Sequence, residues 1–156
     1  MADFYVPLVS IGVAVFVSAV NYVIQRWRYR IDRLSAAVDA FCAETNLTTD
    51  FASSYWMLDL KQNEQAKEGV KLEYQLVGLQ LRLGALFDAL LQQDPSLKLD
   101  DIEPLIDQFF DAITGGDFRV GGRAPNNWQL QQSHALAAAL NGQLRIALNA
   151  RVKKWS

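Results

Sequence analysis

The chain of 156 residues is 51 % hydrophobic, with 15 basic and 17 acidic residues and a formal net charge of −2. These values exclude a disordered tail and a strongly basic nucleic-acid binder, and the length holds one modest domain besides any appended segment. The one cysteine, Cys42, permits no intrachain disulfide and agrees with a reducing compartment.

From Phe4 to Ile24 no residue is charged and only Ser10, Ser18 and Asn21 are polar. That run of roughly 21 residues matches the thickness of a hydrocarbon core and predicts a transmembrane helix over 1–25. The early charge is Asp3 and no basic region precedes the run, which argues against a cleaved signal peptide. Arg26, Arg28, Arg30 and Arg33 follow it, with Trp27 and Tyr29 among them. Under the positive-inside tendency the membrane is expected to be crossed once, with the N-terminus outside and the C-terminal part cytoplasmic.

Beyond the span, apolar residues recur at intervals of three and four, which predicts an all-α protein. The first helix continues as a basic stalk over 26–46 with Ile31, Leu34, Val38 and Phe41 on one stripe. A cytoplasmic helical bundle follows over 47–156. Thr48, Thr49 and Asp50 are cap-type residues before a separate stretch with Phe51, Tyr55, Trp56 and Leu58. A longer helix over about Gln65 to Gln93 carries one ridge of Leu72, Leu76, Leu79, Leu83, Leu86 and Leu90. A second ridge of Val70, Tyr74, Val77 and Leu81 places it centrally in the bundle or between subunits. Another starts near Asp100, buries Ile102, Leu105, Ile106, Phe109 and Ile113, and stops at Gly115-Gly116, a pair suited to a left-handed cap. The last, about Trp128 to Lys153, turns Leu130, Ala137, Leu140, Leu144 and Leu148 inward.

At 100° per residue Ser10, Ala14, Ser18, Asn21 and Gln25 share an arc of about 80°, which Arg28 and Asp32 extend. Small residues four apart let helices approach closely in a membrane, so this arc is the expected oligomer or pore face. The alternative is a monomeric anchor whose serines bond back to their own helix.

Gly115 to Asn127 reads GGDFRVGGRAPNN. Glycine-freed N–H groups at Gly121 and Gly122, together with Arg119 and Arg123, can cradle the phosphates of a nucleotide messenger; a plain connector with solvated arginines is the other reading. His134 is the only histidine, which excludes a two-histidine metal site. Helical HEPN-type ribonucleases carry an arginine and a histidine with four to six residues between them. Here Gln129, Trp128 and Asn127 stand at those places, so an HEPN-like bundle lacks the nuclease motif. Asp100, Asp101, Glu103, Asp107 and Asp111 concentrate acid on one helix, where they complement the helix dipole or hold a cation. Arg151, Lys153, Lys154 and Trp155 form a basic, aromatic end. No catalytic residue, metal or cofactor is assigned, and the chain is not expected to be an enzyme.

In its layout, carried by Phe4 to Ile24 and Arg26 to Arg33, the chain resembles the small single-pass membrane effectors of bacterial antiviral defence, including CRISPR-accessory membrane proteins. That resemblance implies a homo-oligomeric effector or pore, located in the bacterial inner membrane, that perturbs the lipid bilayer under control of its helical domain. The competing expectation is a non-conducting, membrane-tethered scaffold that recruits a cytoplasmic protein partner.

Overall fold

The computed structural model describes residues 5–95, 97, 99 and 101–153, with side chains from residue 13 onward. Among these residues the chain folds as four helices with no strand: α1 Tyr5–Trp56, α2 Asn63–Gln93, α3 Glu103–Thr114 and α4 Asn127–Lys153. Helix α1 packs between α2 and α4, and α3 closes the bundle against α4.

Helix α1 runs unbroken through 52 residues. The expected break at Thr48 to Asp50 does not occur, because the hydroxyls that can cap a new helix bond backward along the existing one. Thr45 donates to Phe41 O at 3.0 Å, Thr48 to Glu44 O at 2.8 Å, Thr49 to Thr45 O at 2.8 Å and Ser53 to Thr49 O at 2.7 Å. Satisfied in this way, Thr45, Thr48 and Thr49 are buried alongside Val38, Phe41, Ala52, Tyr55 and Trp56.

Among the residues of α1 with described side chains, Leu34 is the first that is buried. Upstream of it α1 projects from the bundle as an arm, exposed at every position from Val13 to Arg26. Among the described residues no helix is long and apolar enough to cross a membrane. This finding corrects the expected transmembrane helix over 1–25 and the single-pass inner-membrane location. Helix α1 runs on through residue 25, as expected of the stalk, and continues past 46, where that helix was expected to end.

In α2 only the first ridge is inward. Leu72, Leu76, Leu83 and Leu90 are buried, whereas Val70, Tyr74 and Leu81 of the second ridge are exposed. Helix α2 is therefore an edge helix of this chain, not a central one. Glu44 of α1, itself buried, accepts a 2.8 Å ion pair from Arg82 of α2 across this contact.

Helix α3 begins with a proline in its first turn and buries Ile106, Phe109, Ala112 and Ile113, the face its spacing predicts. Asp100 lies outside the described residues. At its end the Gly115 N–H donates to Asp111 O at 2.8 Å in extended backbone, and Gly116 takes the left-handed conformation with φ 60°. A Cβ on Gly115 would run into the Asp111 carbonyl of the preceding turn. Gly115→Ala is therefore expected to destabilise the protein by about 2–3 kcal/mol, because the clash is with backbone that cannot rotate away. Alanine at Gly121, where a Cβ meets open space, is expected to shift a chemical-denaturation midpoint much less.

Helix α4 is capped by Asn126, whose Oδ1 accepts from Gln129 N at 3.2 Å. It buries Ala137, Leu140 and Leu144 and keeps Leu130 and Leu148 partly covered.

Candidate functional site

Three places concentrate chemistry: the glycine-rich connector between α3 and α4, the projecting arm of α1, and a cleft where the arm meets the bundle.

In the connector, Arg119 and Arg123 differ completely in environment. Arg123 is 7 % exposed. Its guanidinium lies 4.3 Å from the centre of the Tyr55 ring and 4.6 Å from that of Trp56. One Nη donates to Tyr55 O at 2.6 Å, and the other reaches Leu58 O at 3.4 Å and Ala124 O at 3.3 Å. The last carbonyls of a helix have no partner within it, and here an arginine supplies donors to those at the end of α1. Backbone bonds complete the seam: Leu60 N donates to Arg123 O at 2.9 Å, and Asn126 N to Trp56 O at 2.8 Å. With both Nη groups turned to carbonyls, Arg123 presents no outward fork to an anion.

Arg119 is more open. It adopts a left-handed φ of 64°, and its backbone N–H donates to the Tyr55 hydroxyl at 2.9 Å. That hydroxyl in turn donates to Glu73 Oε1 at 3.1 Å. The Arg119 guanidinium sits 4.0 Å from Glu73 and over Phe118, so a carboxylate already faces it. Burial pushes the Tyr55 hydroxyl above its ordinary pKa, opposed by the hydrogen bond from Arg119 N–H and by Arg123. Gly121 and Gly122 are exposed at the tip, Gly122 with φ 74°. The four residues expected to form one cradle are thus divided between a buried clamp, a neutralised arginine and a bare turn.

His134 on α4 lies 2.9 Å from the Ser53 hydroxyl of α1 through Nε2. The hydroxyl proton of Ser53 goes to Thr49 O, so the serine accepts from Nε2–H. A catalytic serine needs the reverse direction, with its proton passing to the imidazole. The pair joins α1 to α4, as does Asn141, which donates to Asn46 Oδ1 at 2.9 Å. Among the described residues no group of three or more His, Cys, Asp or Glu is placed to hold a metal ion.

On the arm, Ala14, Ser18, Asn21, Gln25 and Arg28 of the expected oligomer face are all exposed; the Ser10 side chain lies outside the described residues. The opposite side of the same helix carries Val13, Phe16, Val20 and Val23, at intervals of three and four. Phe16 is 69 % and Val23 64 % exposed. Farther along, the same rhythm becomes Leu34, Val38 and Phe41, which are buried by α2 and α4. One apolar stripe thus runs along α1 from Val13 to Phe41, open as far as Val23 and covered from Leu34.

At the junction, a cleft of about 470 Å³ is bounded by α1 from Arg26 to Leu34, the end of α2 at Gln93 and Asp94, and the end of α4 at Arg151 and Val152. Arg151 Nε donates to Asp94 Oδ2 at 2.8 Å and fixes the two helix ends together. Lys154 and Trp155, expected to continue this basic end, lie outside the described residues.

No protein-family model, no curated protein and no solved structure matches this chain. The antiviral, pore and HEPN-like expectations therefore gain no support from any relative. Neither the arm seam nor the Arg123 clamp was singled out from the sequence. The three-four rhythm of Val13, Phe16, Val20 and Val23 was the available signal for the first, masked by the uniformly apolar composition around it.

Proposed function

We infer that the protein is a self-assembling helical scaffold: copies associate through the apolar seam of the α1 arm and hold their bundles in a cluster open to protein partners. The open half of the α1 stripe carries this reading. In water an amphipathic helix turns its apolar side to a partner and its polar side to solvent, so Val13, Phe16, Val20 and Val23 form the contact and the Ser18, Asn21, Gln25 arc faces outward. That inverts the role a bilayer would give the same arc.

A second copy fits this seam because a helix with apolar residues at alternating threes and fours is complementary to itself. Burying four such side chains on each of two arms releases on the order of 8 kcal/mol, set against an association cost of about 4–15 kcal/mol. Two arms alone are therefore marginal. The exposed ridge of α2, Val70, Tyr74 and Leu81, supplies a second strip through which further copies add area.

Cysteine cross-linking tests the seam. Val20 lies in the open stripe and meets its own copy when the arms pair in parallel, the arrangement that gathers the bundles at one end, whereas Ser18 lies on the polar arc. Native Cys42 does not compete, because it is buried, and burial pushes its thiol pKa up against the opposing effect of Arg145. Oxidation of Val20→Cys is expected to give a disulfide-linked dimer, and of Ser18→Cys little. Preferential linking of Ser18→Cys would overturn the reading, as would a single chain that neither variant links.

A further inference from the structure

We propose that the cleft at the base of the arm binds the phosphates of a nucleotide, with its base against Trp27. The proposal requires that copies associate through Val13 to Val23 and leave Trp27, next along the same stripe, uncovered. Arg26, Tyr29, Arg30 and Arg33 stand at i, i+3, i+4 and i+7 of α1 and so share one side of the helix, facing Arg151 of α4 across the cleft. Like charges one turn apart disfavour the helix that carries them. Arg26, Arg30 and Arg33 have no carboxylate within ion-pair distance among the described residues. Among the described residues the negative groups facing them are Asp94, bonded to Arg151, and the C-terminal ends of α2 and α4. Each helix end counts for about half a charge, so four arginines retain an excess of about two positive charges. An anion of about that charge completes the cleft.

Three features make the anion a nucleotide's phosphate. Arginine forks match phosphate oxygens two at a time, which a lone carboxylate or chloride does not exploit. The indole of Trp27, half-buried, and the exposed ring of Tyr29 line the same cleft and offer faces to a planar base. A volume of about 470 Å³ exceeds what inorganic phosphate needs and suits a nucleoside with its phosphates. Leu34, buried at the floor, keeps that end apolar.

Calorimetric titration of the full chain with ATP, tripolyphosphate and adenosine, at low salt, tests the proposal. ATP is expected to bind saturably at one site per chain, tripolyphosphate more weakly and adenosine weakest. Arg30→Glu combined with Arg33→Glu, both exposed positions, should weaken ATP by at least about tenfold. Trp27→Leu should weaken ATP while leaving tripolyphosphate within about twofold. Arg30→Glu alone should already weaken ATP, whereas Arg28→Glu, an equal change of charge outside this cleft, should change little. Absence of saturable ATP binding, or an Arg28→Glu loss equal to that of the cleft variants, would overturn the proposal. So would binding to vesicles of anionic phospholipid without binding to ATP, since a headgroup would then be the occupant.

Discussion

Replacing Arg123 with methionine is expected to lower the free energy of unfolding by about 3–5 kcal/mol, more than any other single change in the connector. Methionine keeps much of the volume between Tyr55 and Trp56 but removes the donors that reach Tyr55 O, Leu58 O and Ala124 O. The Tyr55 carbonyl, at the buried end of α1, then loses a charge-assisted bond of 2.6 Å. Stacking of a cation on two rings adds roughly 2 kcal/mol where water is excluded. Arg123→Lys should recover only part of the loss, because an ammonium neither forks nor lies flat on the indole. Arg119→Met, half-exposed and at the outer limit of an ion pair, should fall within about 1 kcal/mol of the parent. Urea denaturation of the three variants reads the order directly. Equal effects at 119 and 123 would show that the clamp does not hold the connector.

Phe109→Ala is expected to cost about 3–5 kcal/mol, by cavity formation under α3. Phe109 is fully buried, while its neighbour Phe110 is partly buried and its ring centre lies 6.4 Å away. Phe110→Ala should therefore cost appreciably less. The difference between the two, read from denaturation midpoints, reports which side of α3 faces α1 and α4; a larger effect at Phe110 would require α3 to be rotated.

That face of α3 was legible because Ile102, Ile106, Phe109 and Ile113 recur at threes and fours among charged residues, so no other rotation buries them. The same periodicity misled in α2, where two apolar ridges stand side by side and nothing in the spacing says which one the chain itself covers. At Thr48 and Thr49 the local chemistry is two-valued: a hydroxyl that caps one helix end also bonds to a carbonyl four residues back, and burial against the bundle selects the second. Arg119 and Arg123 are equivalent in sequence, each beside small or apolar neighbours in a glycine-rich loop. Only the return of the connector over Tyr55 and Trp56 separates a clamp from a surface arginine. On the arm, the polar arc stood out because polar residues are rare there, and the apolar seam opposite was hidden by its own surroundings. Arg151 meets Asp94 across 57 positions of sequence, so the cleft that they close has no local signature.

The α1 stripe that is covered from Leu34 onward and open before it is the feature on which the functional reading rests. Sedimentation equilibrium of the full chain in aqueous buffer tests it most directly. The account predicts a concentration-dependent mass that is a multiple of the 17.5 kDa chain, and a return to the single-chain mass when Phe16 and Val20 are both replaced by Asp. A mass of one chain for the unsubstituted protein across the micromolar range, with the arm open and unpaired, would contradict it.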